Sequence, residues 1–239
     1  MDRRVSIDVG PPCARRFGRG EAVVVVDVIR AMTTAVTAVA RGRRCLPVPS
    51  LEAARSRALG LHRPLLAGEV DGVTPIGFDL TNSPVAVARR DDLERPMVLL
   101  SSSGTRLLDA VRGAGAVYPA CLRNARAVAD HLARNHWQVT LLGAATHGEF
   151  REEDQLCCAR IAARLVAAGF AVADEATEGV MARWAKARDV VILGGASASY
   201  LRRTGQVDDL AFIVRHVDDV DAVFRLRAGE LVREEASWT

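Results

Sequence analysis

An aspartate inside a run of valines is the first residue here that asks for a chemical explanation. Asp27 interrupts AVVVVDVI (22–29). An ionised carboxylate there is costly unless it meets a cation or several N–H donors. Two roles follow: capping a neighbouring loop, or serving as a metal ligand or substrate-facing acid. Arg30, three residues on, either pairs with Asp27 or grips an anion with its planar fork. Thr33 and Thr34 lie in the first turns of the next helix, where a hydroxyl either packs or reaches a phosphate near the helix N-terminus. Glu69, Asp71 and Asp79 place carboxylates around one long loop. Ser101, Ser102, Ser103, Gly104 and Thr105 join small residues to a helix start, so their N–H groups can approach an oxyanion. Glu152, Glu153 and Asp154 open a helix, where acids ordinarily complement the N-terminal dipole. A hard cation such as Mg2+ would instead ask for one or two such carboxylates, with waters and substrate phosphate completing its shell. His147, in the glycine-flanked loop to Glu149, has no HxH or HxxxH partner, so zinc is not expected. There is no GxSxG elbow, no P-loop and no GxGxxG turn.

The elements that must hold these groups repeat as apolar strand, polar loop, helix, the sequence form of a parallel α/β sheet. Ligands in such sheets bind beyond the strands' carboxyl ends. Strands are expected over 22–29, 45–48, 65–67, 97–100, 116–118 and 139–142. Helices are expected over 31–40, 51–59, 107–111, 124–133, 152–168 and 178–186. Residues 70–81 show no periodicity and read as a long loop, functional or mobile. Asn82 and Ser83 before Pro84 read as a helix start. In the tail, 194–203 reads as a turn into a helix, and 212–214, 223–226 and 231–232 read as short strands. The fold class is therefore α/β, a mostly parallel or mixed sheet flanked by helices with a short-stranded C-terminal region. Residues 1–239 read as one domain, with 190–239 as a C-terminal subregion.

Composition narrows the class. Of 239 residues 49% are hydrophobic and only 5% aromatic, so the core must be aliphatic, as suits buried parallel strands. The net charge is +3 and Lys186 is the only lysine. The arginines are dispersed rather than gathered on one element, which argues against a nucleic-acid face. Pairs such as Arg15–Arg16, Arg43–Arg44 and Arg202–Arg203 read as solvated surface. Cys13, Cys45, Cys121, Cys157 and Cys158 are odd in number and lack a CxxC, as for buried thiols in a reducing, cytoplasmic setting. No apolar run reaches membrane-spanning length, so no membrane partner is expected. Self-association into a homo-oligomer is allowed by the sequence but not specified by it.

Taken together, the motifs resemble those of the 2-phosphosulfolactate phosphatases, the coenzyme M pathway enzymes and their bacterial relatives. DVIRAMTTAVTAVARG (27–42) resembles their Asp-x-x-Arg-Ala-Thr/Ser-Thr-Thr segment. LLAGEVDG (65–72) is similar to their Ala-Gly-Glu-x-x-Gly turn, and GFDLTNSP (77–84) to their Gly-Phe-Asp-x-Gly-Asn-Ser-Pro. LLSSSGT (99–105), RNARAVA (123–129) and EDQLCCA (153–159) follow in the family's order. The sequence departs from the pattern at Ser103–Gly104, where the Asn before Gly is lost, and at Thr81 and Ala159, where Gly is usual.

The resemblance implies Mg2+-dependent hydrolysis of a small phosphorylated 2-hydroxy acid, without nucleic acid. Asp27 and Glu69 are then the first metal ligands, with Asp79 and Asp154 as additions. Arg30 and the 101–105 backbone, with Thr33 and Thr34 nearby, would hold the phosphate or the acid group. Asn82 and Asn124 would add neutral hydrogen bonds. Ser102 is the candidate for a phosphoenzyme. A same-fold phosphatase for another small phosphate or phosphonate ester, or a non-catalytic anion-binding relative, remains open at this stage.

Overall fold

A computed structural model describes residues 2–10, 17–18, 20–146 and 148–235. His147, Cys13 and the Arg15–Arg16 pair fall outside the described residues.

Two five-stranded sheets organise the chain. The first runs β10(Ala171–Val172), β1(Arg4–Val9), β7(Gln138–Gly143), β2(Glu21–Val26), β6(Ala116–Ala120), with every pairing parallel. The second runs β11(Phe224–Arg227), β12(Glu230–Arg233), β3(Cys45–Val48), β5(Met97–Leu100), β4(Leu65–Gly68). Here β3, β5 and β4 are parallel and the hairpin β11–β12 is antiparallel. β8(Ala145–Thr146) and β9(Glu149–Phe150) form a small separate ladder.

The central strands β2 and β7 are buried on both faces, as their unbroken valine and leucine content requires. One face of the first sheet is covered by α5(Ala125–Asn135), α6(Glu152–Ala167) and α7(Glu175–Trp184). Its other face meets α1(Ala31–Ala40) and α4(Gly104–Ala110), through Val23 and Val25 against Met32, Val36 and Leu107. The second sheet meets the opposite side of α1, through Leu65, Ala67 and Leu99 against Ala35 and Ala38. Its outer face takes α2(Leu51–Leu59). The layers are therefore helices, sheet, helix, sheet, helix, and α1 lies in the middle. Every residue of α1 from Ala31 to Ala38 is buried, as expected of a helix apolar all round.

Local signals set several boundaries. Ser50 caps α2 by accepting from Ala53 N, and Ser83 caps α3(Pro84–Ala88) by accepting from Ala86 N, with Pro84 in the first turn. Gly68 has φ +146°, and a Cβ there would lie 2.1 Å from Leu100 O, so only glycine lets β4 end against β5.

Three expectations are corrected. Strand β2 stops at Val26, so Asp27 is the first residue beyond the strand rather than a member of it. Residues 212–214 are not a strand. They belong to α9(Val207–Arg215), which follows α8(Ala196–Arg203) and buries Asp209, Leu210 and Ile213. That one-then-three spacing is helical, and isolating FIV from its neighbours hid it. Arg43 is not solvated. It is buried, with Nη1 donating to Asp92 O and Arg95 O and Nη2 to Asp92 Oδ1, each at 2.8 Å.

Candidate active site

The carboxyl ends of β2 and β7 from one sheet and β4 and β5 from the other open into a common cavity of about 590 Å³. Asp27, Glu69 and Ser101–Ser103 follow β2, β4 and β5 directly, Ala145 lies two residues beyond β7, and all line it. The remaining wall comes from Arg151, just before α6, and from one side of α8 with Ser197 and Tyr200. This is the crevice at strand ends that parallel α/β architecture provides.

Asp27 forms the floor. It is 5% exposed, and its Oδ1 accepts from Ala31 N at 3.0 Å, capping α1. Its other oxygen faces α4: a Cβ on Gly104 would lie 2.5 Å from Oδ2. The oxyanion that Gly104 lets the backbone approach is thus the protein's own carboxylate. Burial pushes the Asp27 carboxyl up to about 7, the Ala31 and Gly104 N–H groups oppose this, and the charges of Glu69 and Glu153 add to it. Two more buried acids stand behind. Asp154 Oδ1 accepts from Val28 N at 2.7 Å, and burial followed by the Asp27 and Glu153 charges raises its carboxyl well above the ordinary value. Glu153 is also raised, mainly by burial, and its Oε2 has no hydrogen-bond partner. Adjacent buried carboxyls cannot all ionise without a cation.

Glu69 has a different environment. Its Oε1 accepts from Ser102 N (2.8 Å), and its Oε2 accepts from Gly72 N (2.6 Å) and Ser102 Oγ (3.0 Å). It clamps the 70–72 turn to the serine loop while remaining on the cavity wall. Ser101 and Thr105 lock each other: Ser101 N donates to Thr105 Oγ1 at 2.8 Å, and Thr105 N to Ser101 Oγ at 3.0 Å. Ser102 Oγ also accepts from Asp71 N at 2.7 Å. Ser103 makes no side-chain cap to α4 and faces the cavity. Because Ser83 takes the cap of α3, Asn82 is left on the cavity wall, buried, with Oδ1 unpartnered.

Arg30 lines the cavity but pairs with neither Asp27 nor open space. Its Nη1 donates to Asp209 Oδ2 at 2.7 Å and to Gln206 Oε1. Asp209 Oδ1 in turn accepts from Ser83 Oγ at 2.6 Å and Val85 N at 3.2 Å. Sequence reasoning missed Asp209 because it lies in 204–211, which was assigned to no element, so the helix Val207–Arg215 that carries it was not seen. It also passed over Arg151, Ser197 and Tyr200, which carry no local motif.

Several predicted residues lie outside the cavity lining. Asp79 is at the opposite end of β4, where Oδ2 accepts from Leu66 N (2.8 Å) and the carboxylate meets Arg95 (3.3 Å). Asn124 closes the turn into α5, its Oδ1 accepting from Cys121 N (3.0 Å) and its amide donating to Pro119 O (3.2 Å). Thr33 Oγ1 donates to Val28 O at 2.7 Å, and Thr34 is buried in α1 with its hydroxyl unpartnered. Asp154 sits behind Asp27 rather than on the wall. Each is absent from the lining because its polar atoms serve the local turn or because α1 is packed on every side.

Among the described residues no three His, Cys, Asp or Glu side chains converge as an all-protein metal cage. The donors that do face the site are hard oxygens, among them Asp27, Glu69, Asp71 and the unpartnered Asn82 Oδ1. They fit Mg2+, which needs only one or two carboxylates beside water and phosphate oxygens. No helix among the described residues is long and apolar enough to cross a membrane. Cys45, Cys121, Cys157 and Cys158 are free and buried.

A crevice at parallel-strand ends, floored by buried acids and walled partly by arginines, marks the ligand-binding position of an α/β fold. Residues 14–229 match the 2-phosphosulpholactate phosphatase family, and the chain belongs to it. A probable 2-phosphosulfolactate phosphatase of Pseudothermotoga lettingae is 39% identical over 138 residues, 58% of this chain and 59% of that protein, so the match spans under two thirds of that relative. One from Parasynechococcus marenigrum is 34% identical over 79% of this chain and 82% of its own length. One from Clostridium perfringens is 27% identical over 91% of each.

Proposed function

We propose that this protein hydrolyses the phosphate monoester of a small 2-hydroxy acid, of the 2-phosphosulfolactate kind, with Mg2+ bound at Asp27 and Glu69. The observation that carries this reading is the buried Asp27–Asp154–Glu153 group opening, through Asp27, into a cavity whose wall includes Arg30, Arg106, Arg151 and Arg203. Carboxyls held above their ordinary range by burial and mutual repulsion are stabilised as anions when a cation arrives. The opposing arginines suit a substrate that carries several acid groups.

When bound, Mg2+ would polarise the phosphoryl oxygens and offset charge developing in an in-line displacement. The remaining work falls to the chain itself. Asp27 holds a proton near neutral pH and gives it up as the cation binds. Glu69 keeps the 70–72 turn and Ser102 in one arrangement, so the cavity wall is set before substrate enters. Arg30 acts as a fixed positive charge, since Asp209 and Gln206 already orient its guanidinium. Asn82 and Ser103 offer neutral hydrogen bonds at the wall. Ser102 Oγ donates to Glu69 and accepts from Asp71 N; with Glu69 committed to the cation, that carboxylate does not serve as its base, so water rather than Ser102 is the nucleophile.

The direct test measures phosphate release from 2-phosphosulfolactate beside phospholactate and phosphoglycolate. Mg2+-dependent turnover of the first, abolished by Asp27→Asn, is the expected result. Equal turnover by Asp27→Asn, or activity indifferent to chelators, would overturn the assignment.

A further inference from the structure

We infer that Arg151 is the guanidinium that receives the substrate's acid group, and that Glu149 occupies it until substrate arrives. The inference rests on the reading of the cavity as a phosphate-ester site and assigns a residue that reading leaves open.

Four guanidiniums line the cavity, and they differ in what they are free to do. Arg30 is buried and already committed to Asp209 and Gln206. Releasing it would leave Asp209 as an uncompensated buried charge, which is strongly unfavourable. Arg106 and Arg203 are exposed, where an anion would compete with water for them.

Arg151 combines shelter with availability. Its side chain is 17% exposed, and among the described residues its one ion pair is Nη1 to Glu149 Oε2 at 2.6 Å. Its Nε is buried without any partner. A guanidinium presents donors in a fixed fork, and here one edge of the fork is unsatisfied.

Glu149 is the replaceable member of the pair. Its side chain is 70% exposed and does not line the cavity. It opens β9, tied through Ala145–Phe150 and Thr146–Glu149 to a ladder only two residues long. The carboxylate can leave for water at little cost, since an exposed ion pair is worth little. A phosphate or carboxylate oxygen from the cavity side then takes the same charge and also meets Nε. Arg151 further faces the Glu153 and Asp154 charges, so it joins the acid floor to the substrate.

The experiment titrates inorganic phosphate into the full chain by calorimetry at fixed Mg2+ concentration, with Glu149→Gln, Arg151→Gln and the double variant. Glu149→Gln removes the internal competitor and should tighten phosphate binding about two- to fivefold. Arg151→Gln should weaken it at least about tenfold. In the double variant the Glu149→Gln gain should vanish, because the competitor matters only where Arg151 is present. Unchanged or weaker binding by Glu149→Gln would overturn the inference, and so would an equal gain in the Arg151→Gln background. Glu149 is exposed, so that arm stands even if Arg151→Gln folds poorly. Ester turnover is scored separately. A wild type that binds phosphate through Arg151 but hydrolyses none of the esters faults the substrate reading alone. Normal turnover with an indifferent Glu149→Gln faults only this inference.

Discussion

Removing the charge at the floor of the cavity should make the protein inactive and, above neutral pH, more stable. The perturbation is Asp27→Asn without metal. Burial lifts this carboxyl from the ordinary 3.8 to about 7, a difference worth about 4 kcal/mol at 1.36 kcal/mol per pKa unit. The sign follows from linkage. A folded-state pKa above the unfolded one favours the folded protein below pH 4, and that advantage is lost as pH rises through about 7. By pH 8.5 the wild type bears the whole penalty and the Asn variant none. Asn can still accept from Ala31 N, but its amide cannot satisfy the Gly104 N–H as well, a loss of about 1–2 kcal/mol. The net gain is then about 2–3 kcal/mol at pH 8.5, or about 4–12 °C in Tm for a chain of this size. At pH 4.5 the sign reverses and the variant melts lower. His136, lowered to about 4 by burial, destabilises the fold in acid. It does so in both proteins and cancels in the difference. Scanning calorimetry in EDTA at the two pH values reads the effect, and added Mg2+ should raise the wild-type Tm alone. A variant that melts lower than wild type by the same margin at both pH values would refute the account of Asp27 as a buried, reluctantly charged group.

Three further outcomes follow from the same geometry. Gly104→Ala places a methyl 2.5 Å from Asp27 Oδ2 and 3.0 Å from Ala31 Cβ; it should cost about 1–3 kcal/mol by denaturant melting and lower kcat more than KM. Ser102→Ala removes the hydroxyl linking Glu69 to Asp71 N; kcat/KM should fall about 10-fold, as loss of about 1–1.5 kcal/mol of positioning hydrogen bond requires, whereas complete loss of turnover would reveal a phosphoserine. Asp209→Asn strips the partner from Arg30 and weakens the link to Ser83 and Val85; unfolding should show a loss of about 3–5 kcal/mol.

Much of the frame could be read from spacing alone because its causes are local. The valine run of β2, the Ser83–Pro84 start of α3 and the small, apolar α1 follow from burial, capping and backbone preference within a few residues. Asp27, Glu69 and the serine loop stood out because acids and serines at strand ends lack a local excuse. What could not be read was which partner each group would choose. Arg30 lies three residues from Asp27 in sequence yet pairs with Asp209, because the turn after Val26 sends Asp27 toward the α1 and α4 termini and leaves Arg30 facing α9. Asp79 lies ten residues past Glu69, but the long loop returns it to the start of β4 rather than its end. Glu153 and Asp154 read either as dipole partners of α6 or, for Asp154 through the resemblance, as a metal ligand; only tertiary packing makes them buried neighbours of Asp27. The serine loop was read as an anion cradle, and most of its donors prove to be spent on Glu69 and on one another.

The helix held between the two sheets sets a dimension as well as a position. Met32 and Val36 press on one sheet while Ala35 and Ala38 press on the other, so the side-chain volumes along α1 gauge the gap between strand ends that face each other across the cavity. Width at the substrate end is thus set within the first two turns of α1, by side chains that do not line the cavity. A bulkier side chain at Ala35 would act as a wedge, parting β2 from β5 and with them Asp27 from the serine loop. The width of the cavity is therefore governed by the spacer between its layers as much as by the groups on its walls.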